Sequence, residues 1–247
     1  PGACPPGAPA VCGGRGGRAG FCSGGGPPPP PQKKPLLLAR PGGAPTGVAG
    51  GSLASVVPEL RTVIADAARQ MTGKEFLVVG AGLKTGLDIR IDNPAQLGAD
   101  RVVDAVAALA AYDPPLVIFD MGTATTMSVV GKNGAHLGGM IMPGLRTSVD
   151  ALSARAAQLP YIHLEAPPRV IGTNTVDCMQ AGAIYGSACM LDGLIGRVEE
   201  ALWEKVTAVA TGGLMAVVHP YCKREIHYEP NLLLKGLHLL YEKNRKA

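Results

Sequence analysis

Four stretches of this chain have residue types and spacing suited to phosphate chemistry. In PPLVIFDMGTATTMSVVG (114–131) an apolar run ends on a lone Asp120, turns through Gly122 and the hydroxyls of Thr123, Thr125 and Thr126, and leaves as a second apolar run. A hairpin built for stability alone favours Asn-Gly or Asp-Gly at its tip with large β-formers beside it. This turn offers instead one carboxylate, backbone N–H groups and hydroxyls, the equipment to hold a cation and phosphate oxygens. A polar turn with Asp as a local acceptor has the same composition. The second stretch is GADR, 98–101. Asp100 opens a helical pattern, where the helix dipole favours an ionised carboxylate and so suits a base that must be unprotonated at neutral pH; an ordinary capping Asp also stands at such a place. Arg101 suits a bidentate grip on an anionic substrate carboxylate, or a surface ion pair.

The third stretch, IGTNT (171–175), leads into a long helix. Thr173, Asn174 and Thr175 either cap that helix or present hydroxyl and amide groups to a polar ligand at its N-terminus. The fourth is ATGG (210–213), where Gly212 and Gly213 end a strand and leave room for a flat ligand such as adenine against the backbone. The five histidines (136, 163, 219, 227 and 238) fall at no metal-ligand spacing and read as structural or exposed, and Trp203 and the methionines read as core.

Elements with the right periods surround these stretches. SVVPELRTVIADAARQM carries Leu60, Val63, Ile64, Ala67 and Ala68 at helical spacing, and EFLVVG (75–80) reads as a short buried strand. Val102, Val103, Val106 and Leu109 share one face of a helix that follows GADR. Strands are predicted at 116–120 and 126–131, a third through AHLGGMIMPG, and a helix over 147–158. A long helix with Gly182, Gly186, Gly193 and Gly196 follows, then the strand VTAVATGG and the closing amphipathic helix NLLLKGLHLLYEKN. Strands mixed with helices, a three-strand meander among them, give an α/β fold.

Bulk composition confines the partners. Residues 1–50 contain 14 Gly and 12 Pro, with PPPPP at 27–31, and read as a low-complexity segment unable to pack a core. That segment carries Arg15, Arg18, Lys33, Lys34 and Arg40 and no acid. The whole chain's net charge of +4 less this +5 leaves −1 for residues 51–247, so the folded part makes no electrostatic case for nucleic acid. The six cysteines form no CxxC pair and no zinc spacing, which fits reduced thiols in the cytoplasm. No apolar run reaches the roughly 18–20 residues that cross a bilayer, so no membrane partner is expected.

Taken along the chain, GADR (98–101), DMGTATT (120–126), GGMIMPGL (138–145), IGTNTV (171–176) with AG (181–182), and TGG (211–213) closely resemble the type III pantothenate kinases, over about residues 52–244. The resemblance implies an α/β fold of two ribonuclease-H-like halves from the actin-like and sugar-kinase ATPase superfamily, with ATP in the cleft between them. Residues 51–115 would be the remainder of the first half and 116–247 the second. It implies Asp100 as catalytic base, Gly98, Ala99 and Arg101 shaping the pantothenate pocket with Thr175, and Asp120 as ligand of a monovalent cation. Gly122 and Thr123 would meet ATP in the second phosphate hairpin, and Gly212 and Gly213 would form the adenosine turn. The implied reaction is phosphorylation of pantothenate to 4′-phosphopantothenate, the first step toward coenzyme A, by a homodimer using Mg-ATP and potassium or ammonium.

Two departures stand out. The family opens on an Asp-Val-Gly-Asn-Thr-type hairpin, the first phosphate loop, and nothing in residues 1–50 resembles it, since that stretch holds neither Asp nor Asn. The first half is therefore expected to be incomplete, its N-terminal part lost or replaced, and the chain as given to turn over little or nothing. The family's usual Tyr, seven residues before the Gly of GADR, is Ile91 here. The alternative reading is a non-catalytic or regulatory homologue, as some type III homologues are associated with transcriptional activation. A different phosphotransferase of the superfamily is disfavoured by GADR together with IGTNT.

Overall fold

The structure is a computed structural model that describes residues 48, 50–55, 57–80 and 82–245. The low-complexity reading of 1–50 falls, apart from Val48 and Gly50, outside the described residues. β1 (Gly51–Leu53) and β2 (Phe76–Val78) pair in parallel. Parallel neighbours need a crossover connection, and α1 (Pro58–Thr72) supplies it. Gly73 closes α1 at φ +67° and returns its N–H to the Arg69 carbonyl at 2.8 Å, a left-handed cap that glycine adopts without strain. Next comes a single 3-10 turn, Pro94–Gln96, capped by the Asn93 side chain, and then α2 (Ala99–Ala111).

Three strands follow as an antiparallel meander: β3 (Leu116–Met121), β4 (Ala124–Val130) and β5 (His136–Pro143). α3 (Leu145–Arg155) and the 28-residue α4 (Thr175–Leu202) lead to β6 (Thr207–Thr211), which pairs in parallel with β3. A short α5 (Met215–Val218) precedes β7 (His227–Tyr228), parallel to β6, and α6 (Leu232–Asn244) closes the chain. The sheet order β5-β4-β3-β6-β7 is the ribonuclease-H-like order: a meander on one side and parallel strands on the other. β3 is the central strand, and its LVIFDM reads as one apolar run because both its faces are covered.

Strand alternation divides the core in two. Val117, Phe119, Met121, Met127 and Val129 point toward α3 and α4, where Val149, Ile184, Leu191 and Ile195 meet them. Leu116, Ile118, Val130 and Val209 point the other way, toward Ala105 and Ala108 of α2 and Leu232 of α6. α2 and α6 approach so closely that a Cβ on Gly236 would overlap the Val103 carbonyl and stand 2.7 Å from its Cγ1; only glycine fits there.

Every helix expected from periodicity is present, with shifted ends. α3 starts at Leu145 rather than Thr147, because Gly144 is its N-cap, and it stops at Arg155 rather than Gln158. The strands β1 and β7, of three and two residues, were too short to carry a period and were not expected. Trp203 corrects the core reading: it caps α4 at φ +55° and is 93% exposed, since the left-handed turn swings its side chain off the helix. Among the described residues no helix is long and apolar enough to cross a membrane.

Candidate active site

GADR builds the start of α2. Gly98 is the N-cap, with extended φ and ψ of −57° and 139°, and Asp100 lies in the first turn. The Asp100 Oδ1 accepts the Arg101 N–H at 2.8 Å and would stand 2.5 Å from a Cβ on Gly98, so the glycine gives the carboxylate its room. The Arg101 side chain crosses to the meander. Its Nε donates to Ser128 Oγ at 3.0 Å and its Nη2 to the carbonyls of Met127 at 3.1 Å and Gly138 at 3.4 Å. A Cβ on Gly139 would overlap the Met127 carbonyl and lie 2.6 Å from Arg101 Nη2. The paired glycines of GGMIMPGL therefore let the guanidinium lie against β4 and β5. Burial pulls the Arg101 pKa below its ordinary value, partly offset by the neighbouring Asp100. Ile91, the substitute for the family's Tyr, lies beside Gly138, 3.9 Å from where its Cβ would be.

Asp120 lies on the same side of the sheet as Leu116 and Ile118, the side that α2 covers. In register it stands opposite Thr126 on β4 and Thr211 on β6, so the side chains of all three share that face. The turn after it is tied down from α3: Thr123 O accepts the Gly144 N–H at 3.1 Å and the Thr147 hydroxyl at 2.8 Å, while the Gly122 N–H bonds Ala124 O at 3.1 Å. The second glycine turn abuts the first. Gly212, at φ +97°, sits so close to the Met121 backbone that a Cβ would be 2.6 Å from both its N and O, whereas Gly213 has open space around it. The ends of β3 and β6 thus bring Asp120, Gly122, Thr123, Gly212 and Gly213 to one edge of the sheet. In open α/β sheets, ligands settle outside such carboxyl ends of strands.

Asp104 was not singled out from the sequence. It is one turn on from Asp100, is 3% exposed, and its Oδ1 has no hydrogen-bond partner. Burial, then the carboxylates of Asp120 and Asp100, pushes its pKa up to about 8. Its only mark in the sequence is its place at i+4 from the proposed base, which an acid on the polar side of an amphipathic helix shares. His136, at the start of β5, is fully buried with neither ring nitrogen bonded, and burial and the Arg101 charge lower its pKa to about 4. Of the two readings allowed for the histidines, this one is structural.

Thr175 lies elsewhere. It is the first residue of α4, behind Asn174, whose side chain accepts the Asp177 N–H at 2.9 Å. It lines a cavity of about 840 Å³ with Thr125, Leu145, Val149, Met179 and Gly182, on the α3/α4 face of the sheet. Asp100 lies on the opposite, α2 face, so the folded chain does not bring these two residues together. Among the described residues no group of three or more His, Cys, Asp and Glu could hold a metal ion.

The comparisons agree with these motifs. The family model described as type III pantothenate kinase matches residues 37–197. The chain is 45% identical over 192 residues to the type III pantothenate kinase of Moorella thermoacetica, covering 78% of this chain and 76% of that relative. It is 44% identical over 199 residues to that of an Exiguobacterium species, covering 81% and 78%. Among solved structures, a Campylobacter jejuni protein assigned by its description to the Baf family of transcriptional activators aligns with TM-score 0.52. At 21% identity, over 78% of this chain and 82% of that one, it shares the fold. With GADR and the Asp120 turn inside the span that the family model matches, the chain belongs to the type III pantothenate kinase family.

Proposed function

We propose that this chain transfers the γ-phosphoryl group of ATP to the primary hydroxyl of pantothenate, giving 4′-phosphopantothenate. The observation that carries the reading is the pairing of Asp100, in the first turn of α2, with the phosphate-type turns at the ends of β3 and β6. A hydroxyl attacking phosphorus must lose its proton, and the rest of the work is alignment and charge neutralisation. Asp100 is the base. Gly98, Ala99 and Arg101 shape the pantothenate pocket, and the anchored guanidinium sets a positive charge toward the pantothenate carboxylate. Gly122 and Thr123 take the ATP phosphates, and Gly212 and Gly213, one packed on Met121 and one open, take the adenosine.

Asp120, between Thr126 and Thr211, holds the monovalent cation, potassium or ammonium, which neutralises phosphate charge. Mg²⁺ is carried on the ATP phosphates, as that ion usually is with one or two carboxylates in support. A homodimer is the working form, because Thr175 then reaches pantothenate from the second copy. Residues 51–115 and 116–247 form the two sides of the ATP cleft, and the cytoplasm is the compartment.

The test starts with the folded chain. Pantothenate and ATP are titrated into it by calorimetry, and 4′-phosphopantothenate is then sought by mass spectrometry after incubation with Mg-ATP and potassium. Product above that of an Asp100→Asn control is expected, at a rate far below the roughly 1–100 s⁻¹ of ordinary kinases, since residues 1–50 offer neither Asp nor Asn to a first phosphate loop. Folded protein that binds pantothenate and forms none supports the non-catalytic homologue instead.

A further inference from the structure

The segment that follows the Gly212–Gly213 turn runs beside α4 and is held there by named contacts. The ring of Tyr221 meets that of Tyr185 edge-on, with centroids 5.1 Å apart. The backbone N–H groups of Lys223 and Arg224 donate to the Asp192 carboxylate at 2.8 and 3.0 Å, and the Arg224 guanidinium pairs with Glu199. Tyr185, Asp192 and Glu199 recur every two turns, so they share one face of α4. Cys189 stands on that face between Tyr185 and Asp192, one turn from each. Cys222 stands between Tyr221 and Lys223. The flanking contacts follow the same order along both segments, so the two cysteines come opposite each other. A second sign of their closeness is electrostatic. Burial, then Asp192 and Cys189, pushes the Cys222 thiol pKa up to about 11. Both thiols are free: Cys189 is exposed, while Cys222 is half-buried against the main core with its Sγ 3.8 Å from the Val218 carbonyl.

We infer that Cys189 and Cys222 are an oxidisable thiol pair whose disulfide fastens the segment after the Gly212–Gly213 turn to α4. The co-reactant is a low-molecular-weight disulfide such as oxidised glutathione. The thiolate of the exposed Cys189 attacks one of its sulfurs, the S–S bond breaks, and a first thiol leaves. Cys222 then gives up its proton and attacks the Cys189 sulfur of the mixed disulfide, releasing a second thiol. One external disulfide is reduced to two thiols, which carry off the two protons, and the protein dithiol is oxidised to one disulfide. The thiolate is the attacking form, so the burial of Cys222 makes the second step the slow one. Cys178 is no substitute. It lies three helical turns before Cys189, about 16 Å along α4, and lines the cavity; a disulfide joins Cα atoms no more than about 7 Å apart. In cytoplasmic proteins such bonds are usually transient, so the pair is a site of reversible oxidation. The site stands apart from the kinase reading.

The experiment uses the full chain. Reduced protein is incubated with excess glutathione disulfide in mildly alkaline buffer, remaining thiols are blocked with N-ethylmaleimide, and the protein is cut with trypsin without reduction. Mass spectrometry is expected to find peptide 170–197, which holds Cys178 and Cys189, joined to peptide 206–223, which holds Cys222. The link is expected to persist in Cys178→Ser and to vanish in Cys189→Ser, a substitution at an exposed site that leaves the core intact. Cys222→Ala gives a second reading of the same loss. A bond closed in native geometry constrains mainly the unfolded chain. The oxidised protein is therefore expected to melt roughly 5 °C or more above the reduced one, with no such difference in Cys189→Ser. Peptides that stay unlinked overturn the inference, as does a link that survives in Cys189→Ser or joins two copies of the chain. A link that forms without raising the melting temperature overturns it too, because the two sulfurs are then not paired in the native fold.

Discussion

The α2 face of the five-stranded sheet carries Asp120 on β3 and, on the helix over it, the buried Asp104, one turn on from Asp100; the charges of Asp120 and Asp100 both act on Asp104. On the α3/α4 face, Phe119, Met121, Met127 and Leu191 make the main core beside a cavity walled by Val149, Met179, Gly182 and Thr175. The two faces are made from the same strands, often from adjacent residues. Asp120 points one way and Met121 the other; Thr126 shares the acid's face, and Thr125 lines the apolar cavity. A single step along a strand decides between charge chemistry and packing, because successive side chains alternate sides. It follows that Thr175 and Asp100 of one chain serve different faces. If both touch one pantothenate, as proposed, they come from different copies.

The strongest way to break that comparison is to substitute one residue on each face. Asp100→Asn keeps the size and the capping ability of the side chain but cannot take a proton, so kcat is expected to fall ~10²–10⁴-fold with the KM for ATP nearly unchanged. Thr175→Val removes one hydroxyl at constant volume. Its expected effect is a rise in the pantothenate KM of roughly tenfold or less, about one neutral hydrogen bond, with kcat held within twofold. Steady-state kinetics on both variants decides it, at matched folding and in a version given the family's first phosphate hairpin. A kcat loss below about threefold for Asp100→Asn would leave GADR as scaffold. A kcat collapse for Thr175→Val would place that residue at the reacting atoms and dissolve the distinction between the faces.

A smaller effect separates the faces by pH. Asp104 has its folded pKa raised, by burial first and the neighbouring acids second, to about 8. A raised carboxyl binds its proton more tightly in the folded than in the unfolded chain, where the ordinary value is near 4. The stability it contributes is complete below about pH 4 and is lost as the pH climbs toward 8. Asp104→Asn removes that loss. In potassium-free buffer, the melting temperature of the variant minus that of the parent is expected to grow steadily from pH 5 to pH 8. A flat difference across that range would mean that Asp104 is not buried as the structure has it. His136 runs the opposite way: its lowered pKa of about 4 costs stability as the pH falls from about 6.5.

Much of this site was legible in the sequence, and what was not has physical causes. Asp100, Asp120 and the two glycine turns announced themselves because functional turns depart from stability rules, placing small residues and a lone acid where large β-formers belong. Asp104 did not, because one acid inside VVDAVAALAA looks like the polar face of an amphipathic helix; only the packing of α6 across α2 shows that no such face is left exposed. The strands β1 and β7 escaped notice because two or three residues carry no period, and their existence depends on neighbours supplied by the rest of the chain. Trp203 was misjudged for a related reason. Hydrophobicity predicts burial only on average, and a left-handed C-cap decided its direction locally.

The smallest expected effect bears on what covers the α3/α4 face. Gly182 and Gly186 stand in the middle of α4, line the cavity, and have no atom within 4 Å of where a Cβ would be. Within one chain their absence of side chains is a pure cost, since glycine in a helix interior is about 1 kcal/mol less favourable than alanine. Gly186→Ala is therefore expected to raise the melting temperature of the protein at high dilution, where single chains dominate. If a second copy lays a helix or loop against this face, the added methyl intrudes on that contact, and the dimer dissociation constant measured by sedimentation equilibrium rises. A stabilised chain with weakened association supports the composite pocket in which Thr175 is donated across the dimer. A stabilised chain whose association is unchanged would show that the glycines serve the cavity alone. The seam between copies would then lie elsewhere, and Thr175 would lose its route to the pantothenate of a partner.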